Sequence, residues 1–216
     1  MAAASDLAPL RAPLTGGFQR LTGQTLRFTI GSSGELARQI RSGAPYDVFL
    51  SANEKYVKDL SASGFLDPAS LTVYAHGRLA IWSKTGEYKT LGDLLKPTAL
   101  HVAIANPKFA PYGGAAREVL ENRGLWRQVE RKIVYGENIR ETLQYAESGN
   151  ADAALVAWSL VFDRGGILLP AAWHAPINQE GGVVARSSER GLARRFMTFL
   201  TGPGGSKILA AHGLER

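Results

Sequence analysis

The sequence predicts an α/β protein, and three observations carry that prediction. Short β-like runs alternate with stretches of helical periodicity along the chain. Each helical stretch presents one apolar face, as a helix packed on a sheet requires. Small polar and glycine residues fall where a strand would hand over to a helix, at Gly31-Ser-Ser-Gly34, Pro111-Tyr-Gly-Gly114 and Gly136-Glu-Asn-Ile139. Alternation of this kind builds parallel sheets with helices on both faces.

Taken in order, Leu7, Leu10, Leu14, Phe18 and Leu21 keep a 3–4 spacing that predicts a first helix after Ser5. Pro9 suits a first turn, whereas Pro13 is expected to kink or break the helix. Leu26, Phe28 and Ile30 alternate as a half-buried strand. Gly34 to Arg41 is the next helix, with Leu36, Ala37 and Ile40 on one face and a capping box from Ser32 to Glu35. Asp47-Val-Phe-Leu50 is a second strand. Ser51-Ala-Asn-Glu54 reads as a further capping box, for a helix lined by Tyr56, Val57 and Leu60. Later strands are expected at 101–105, 132–135 and 153–157, with helices around Ala115–Asn122 and Ile139–Ser148. Leu192, Phe196 and Phe199 mark another helix, and Ile208 and Leu209 the last. Lobe boundaries are expected near Tyr74–Trp82 and near Ile177–Ala185. Two crossings imply a discontinuous first lobe, residues 1–77 plus 184–216, around a second lobe, 78–183.

The 216 residues suffice for one large domain or two lobes of about 100 residues each. Hydrophobic residues at 45% and charged residues at 20% fit a soluble globular chain. With no cysteine, disulfides, thiolate metal sites and a cysteine nucleophile are excluded. Lys+Arg of 25 against Asp+Glu of 19 gives +6, an excess that favours anionic partners or merely solubilises the surface. No apolar run approaches the roughly 18–20 residues of a membrane helix. Met1 to Ser5 has neither the basic start nor the apolar stretch of a secretory signal. Composition leaves open a cytoplasmic protein and an exported one whose signal has been removed.

The glycine and serine loops each aim free backbone N–H groups and a positive helix end outward from the C-terminal edge of a strand. Such ends bind anions, and ligands of open α/β sheets collect at that edge. Read singly, Ser32 and Ser33 are ordinary caps, Gly113 and Gly114 turn residues, and Tyr112 a packed ring. Their recurrence on successive helices is what points to a ligand. Catalysis has little support: there is no Gly-x-Ser-x-Gly elbow, no phosphate-binding loop and no Gly-x-Gly-x-x-Gly. His76, His101, His174 and His212 lack metal-ligand spacing, and Asp47 and Asp152 stand alone. No basic run interleaved with aromatics suggests nucleic acid.

Several segments carry a family resemblance: Ala2-Ala-Ala-Ser-Asp-Leu7, Gly31-Ser-Ser-Gly-Glu-Leu-Ala37, Gly43-Ala-Pro-Tyr-Asp-Val-Phe-Leu-Ser-Ala52 and Ala103-Ile-Ala-Asn-Pro107. Ala110-Pro-Tyr-Gly113, Gly136-Glu-Asn-Ile139 and Ser148-Gly-Asn-Ala-Asp-Ala153 continue the series. In this order the chain resembles the periplasmic molybdate-binding proteins of ABC transporters. The resemblance implies a two-lobed type II periplasmic-binding-protein fold, each lobe a mostly parallel sheet flanked by helices, joined by two crossing strands. It implies a molybdate or tungstate anion in the interlobe cleft, delivery to a membrane permease, a periplasmic location, a monomer, no cofactor and no enzymatic activity. Carried over by position, the oxyanion ligands are Ser5 and Ser33, through hydroxyl and backbone N–H, and the backbone N–H groups of Tyr112 and Ile139. No side chain coordinates the metal directly.

Two departures stand out. Many members place a tyrosine hydroxyl on the ligand from the strand that here ends Val156-Ala157, and Ala157 has no donor; the Tyr112 hydroxyl is the candidate replacement. Members also have a strand before the Ala-Ala-Ala-Ser segment, and this chain begins where that strand is expected to end. A fully ionised dianion accepts hydrogen bonds and donates none, so hydroxyls and N–H groups suffice for it. Hydrogenphosphate would leave its own proton unmatched. Asp6 is expected to point outward and complement the helix dipole. The alternatives are a binding protein for sulfate or another tetrahedral oxyanion, and a cytoplasmic anion sensor of the same fold.

Overall fold

The computed structural model describes residues 1–215. The chain divides into two compact units, Met1–His76 with the chain from Asn178 onward, and Gly77–Ile177. The first unit opens with β1 (Ala2–Ala4), a 3-10 helix (Ser5–Leu10), α1 (Arg11–Thr22), β2 (Thr29–Gly31) and α2 (Ser33–Arg41). It continues through β3 (Val48–Ser51), α3 (Glu54–Ala62) and β4 (Thr72–Gly77). The second unit contains β5 (Leu79–Trp82), β6 (Val102–Ala105), α4 (Pro111–Asn122), α5 (Trp126–Val129) and β7 (Ile133–Gly136). After α6 (Ile139–Ser148), β8 (Ala153–Ala157) and β9 (Ile167–Leu168), the chain returns by β10 (Ile177–Val183) to α7 (Arg190–Thr201) and α8 (Pro203–Ala211).

Each unit is built on a five-stranded sheet, in the order β2-β1-β3-β10-β4 and β7-β6-β8-β5-β9. In the first, β1 runs parallel to both neighbours, and β10 is antiparallel to β3. In the second, β6 is parallel to β7 and β8, while β5 is antiparallel to β8 and β9. The α/β fold expected from the alternation is the fold observed.

Period-two side chains place a core on each face of the first sheet. Ala3, Val48 and Leu50 pack with Leu14 and Phe18 of α1, Phe196 and Met197 of α7 and Leu209 of α8. Ala2 and Phe49 face the other way, against Leu36 and Ile40 of α2 and Val57 and Leu60 of α3. Each large apolar side chain so buried contributes about 1.5–3 kcal/mol. In the second sheet β6 and β8 are buried along their whole length, as central parallel strands covered on both faces must be.

Four details differ from the sequence reading. Ala2–Ala4, where a preceding strand was expected only to end, is itself a strand and sits between β2 and β3. The helical spacing that begins at Leu7 is split, with Pro9 inside the 3-10 helix and the α-helix starting only at Arg11. Pro13 therefore lies in the first turn of α1, where a missing N–H costs no bond, and it does not break the helix. The return to the first unit comes at Asn178 rather than 184, because β10 pairs with β3 from Glu180 to Val183. Finally, Asn53 rather than Ser51 caps α3, its carboxamide accepting from Lys55 N–H at 2.8 Å. Ser51 instead bonds the Asn53 backbone in both directions.

Candidate functional site

In the first unit the register Ala4↔Gly31 brings the C-terminal ends of β1 and β2 level. The residues that follow, Ser5 and the Ser32-Ser33 pair, therefore share one edge of the sheet. One step beyond the pair Ala3↔Leu50, Ser51 at the end of β3 joins the same edge. Ser5 begins the 3-10 helix and Ser33 is the first residue of α2. Both are buried, at 3% and 1% exposure.

Their hydrogen bonding distinguishes them from Ser32. The Ser32 hydroxyl accepts from Glu35 N–H at 3.4 Å, as a cap does. Ser33 Oγ accepts from Ala52 N–H at 3.0 Å, across from β2 to the end of β3. That bond fixes the oxygen and leaves the hydroxyl proton to be donated elsewhere. The Ser5 hydroxyl has no hydrogen-bond partner among the described residues. The first N–H groups of both helices lack intrahelical acceptors by construction.

Asp6 corrects an expectation. It is fully buried rather than pointing outward, and its Oδ2 accepts from Gln179 Nε2 at 2.5 Å. Gln179 Oε1 in turn accepts from the Tyr74 hydroxyl at 2.9 Å. Burial, reinforced by the Asp6 charge, pushes the Tyr74 phenol well above its usual range. The residue after Ser5 is thereby tied to β10 and β4, through Gln179 and Tyr74. Neither residue stood out in the sequence; their only signal was a place in the stretches assigned to the lobe boundaries.

The second unit repeats the pattern. The register Ala105↔Gly136 brings the ends of β6 and β7 level, so the loops leading to α4 and α6 share a sheet edge. Tyr112 is the second residue of α4, after Pro111 and the N-cap Ala110, and is 1% exposed. Ile139 is the first residue of α6 and is 3% exposed. Its N-cap, Asn138, accepts from Arg140 and Glu141 N–H at 3.0 and 3.1 Å. The Ile139 N–H itself, at N1, has no acceptor within the helix.

Two glycines make these loops possible. A Cβ on Gly113 would fall 2.0 Å from the Ala105 carbonyl oxygen, so only glycine lets α4 start this close to β6. A Cβ on Gly136 would lie 2.6 Å from Thr142 Oγ1, which donates to the Asn138 carbonyl at 2.9 Å. The structure thus gathers Ser5 with Ser33 at one sheet edge and Tyr112 with Ile139 at the other. Each edge offers N–H donors at positive helix ends, and the first adds the Ser5 and Ser33 hydroxyls. Asp47 and Asp152, isolated in the sequence, have local structural roles. Asp47 accepts from the Ser187 hydroxyl at 2.7 Å, and Asp152 from the backbone of Leu100 and His101. Among the described residues no group of three or more His, Cys, Asp or Glu side chains is placed to hold a metal ion.

The chain is similar over nearly its whole length to known proteins. It is 36% identical to the molybdate-binding protein ModA of Rhodobacter capsulatus over 200 residues, 91% of this chain and 79% of that protein. The solved periplasmic molybdate-binding protein of Azotobacter vinelandii superposes with a TM-score of 0.94 at 32% identity, covering 100% of this chain and 97% of that one. The sulfate-binding protein SubI of Mycobacterium tuberculosis shares the fold, with a TM-score of 0.81 at 16% identity over 99% of this chain and 84% of that one. The family model of bacterial extracellular solute-binding proteins matches residues 1–215. By its fold, its relatives and that match, this chain is a member of the bacterial extracellular solute-binding protein family.

Proposed function

We propose that this protein binds molybdate or tungstate in the periplasm and delivers it to the membrane permease of an ABC transporter. The ligands are Ser5 and Ser33, through hydroxyl and backbone N–H, and the backbone N–H groups of Tyr112 and Ile139. The observation that carries the proposal is the set of donors at the Ser5–Ser33 edge, with the starts of α4 and α6 adding backbone N–H groups. Ser33 Oγ is held by Ala52 N–H with its proton left to give, and the N1 N–H groups of α2 and α6, at Ser33 and Ile139, have no acceptor within their helices. Asp6, the carboxylate next to Ser5, is engaged by the Gln179 amide.

A fully ionised tetrahedral dianion is the ligand such donors suit, because it accepts from all of them and returns no proton. Hydrogenphosphate has a proton to place and is disfavoured by the cost of a buried unmatched donor. Molybdate and tungstate, nearly equal in size, are bound alike. The protein acts as a monomer without catalysis or cofactor.

Isothermal titration of the purified protein with molybdate, sulfate and phosphate tests this. One-to-one binding of molybdate with a flat phosphate trace is the expected result. A flat molybdate trace from protein shown by circular dichroism to be folded would refute it.

A further inference from the structure

Two adjacent residues of β10, Asn178 and Gln179, make the same kind of connection within the first unit. Each side-chain amide bridges a side chain of β4 and an acid at the start of a helix. Gln179 accepts from the Tyr74 hydroxyl at 2.9 Å and donates to the Asp6 carboxylate at 2.5 Å. Asn178 Oδ1 lies 3.0 Å from His76 Nδ1, and Asn178 Nδ2 donates to Glu54 at 3.2 Å. Each acid adjoins the support of one ligand serine. Asp6 follows Ser5 directly. Glu54 is the first residue of α3, two positions after Ala52, whose N–H holds Ser33 Oγ.

The strand register brings this about. Glu180 pairs with Ser51 in antiparallel fashion, so the two residues before Glu180 run on past the end of β3, at the edge where the donors gather. The serines need such support. Ser5 opens a six-residue 3-10 helix whose N-cap, Ala4, makes no side-chain bond, and this short helix has poor hydrogen-bond geometry of its own. Ser33 Oγ is held from outside α2, by Ala52. A binding constellation has to be kept to within about 0.5 Å. Reversing the Gln179 amide would set its carbonyl oxygen against the Asp6 carboxylate; Tyr74, by donating to that oxygen, holds the amide in the sense that grips Asp6. Asp6, Gln179 and Tyr74 are buried, where a lost partner leaves a polar group that water does not satisfy.

We infer that Gln179 and Asn178 are positioning residues of the oxyanion site: Gln179 sets Ser5 through Asp6, and Asn178 sets Ser33 through the start of α3 and Ala52. The inference rests on the ligand roles proposed above for the two serines.

Double-mutant cycles on the molybdate Kd, read by titration calorimetry on variants shown by circular dichroism to be folded, test it. Gln179→Met keeps the length of the side chain and removes its amide. It is expected to weaken binding about tenfold in the parent, and less than about threefold once Ser5→Ala has removed the hydroxyl it places. In the Ser33→Ala background the loss is again about tenfold. Asn178→Leu, on a less buried path, shows the opposite preference: about fivefold in the parent and in Ser5→Ala, and less than about twofold in Ser33→Ala. General loosening of the fold has no preference between the serines and gives one loss in every background. Tyr74→Phe, which removes a single hydroxyl, is expected to repeat the Gln179 pattern at about threefold in the parent. It decides the matter for Gln179 should Gln179→Met fail to fold.

Kd values within about twofold of wild type for Gln179→Met and Tyr74→Phe overturn the inference for Gln179. Equal losses in all three backgrounds overturn it for whichever residue shows them. No molybdate binding by the folded wild-type protein is a separate failure: it refutes the ligand reading, and this inference with it.

Discussion

Ser33 shows how one hydroxyl becomes a ligand rather than a cap. Its neighbour Ser32 spends its oxygen on Glu35 N–H, while Ser33 is turned toward β3 and held there by Ala52 N–H. A hydrogen bond to a charged ligand contributes about 1.5–3 kcal/mol. Ser33→Ala is therefore expected to weaken molybdate binding by roughly 10- to 150-fold in titration calorimetry, with the fold retained. Tyr74 gives a pH-dependent prediction. Its phenol ionises above the ordinary value of 10.0 in the folded protein and near that value once unfolded. The stability it contributes is complete below about pH 10 and is lost as pH rises toward the folded value. Thermal melts between about pH 9 and 11 are expected to show a steeper alkaline decline for wild type than for Tyr74→Phe.

At the scale of elements, the site is a matter of where helices begin. The starts of α4 and α6 are pressed against neighbouring backbone and a buried threonine by glycines at 113 and 136. Adjacent glycines at 113 and 114 separate the packing effect from the helical one. Gly113→Ala drives a methyl into the Ala105 carbonyl and displaces the first turn that carries Tyr112. It is expected to lower stability by more than about 2 kcal/mol and to weaken molybdate binding. Gly114→Ala meets open space, and helix propensity favours it by about 0.5–1 kcal/mol. Chemical denaturation of the two variants reads the difference directly.

For the whole molecule, ligand binding is linked to stability. Anything bound by the folded state alone stabilises it in proportion to the logarithm of its concentration over Kd. Molybdate at a hundredfold over Kd is expected to add about 2.7 kcal/mol and raise the unfolding midpoint, and phosphate at equal concentration to leave it in place. Differential scanning calorimetry checks both arms. The charge distribution matters at this scale too: the basic excess is concentrated on α1, α7 and α8, in the first unit. Composition gave only the sum, +6, which a scattered solubilising surface would equally produce.

Local pattern was enough to read most of the elements. The runs at 153–157 and Ile139–Ser148 are strand and helix in the structure with those bounds, and the other elements named from the sequence overlap observed ones, while α5 and β9 were not foreseen. Periodicity and capping chemistry act over a turn or two, so the sequence holds them in plain form. The loops bearing Ser5, Ser33, Tyr112 and Ile139 were visible for the same reason, as small residues at strand-to-helix junctions. Three alanines at the chain start did not read as a central strand, because that role depends on two neighbours far along the chain. Asp6 looked like a dipole partner for its helix, yet its carboxylate lies buried against Gln179, 173 positions away. The three basic helices are separated in sequence and form one groove only when α7 and α8 pack beside α1. Tertiary structure alone decided these features, since each depends on which distant groups are brought within hydrogen-bonding or van der Waals range, and spacing along the chain does not encode that.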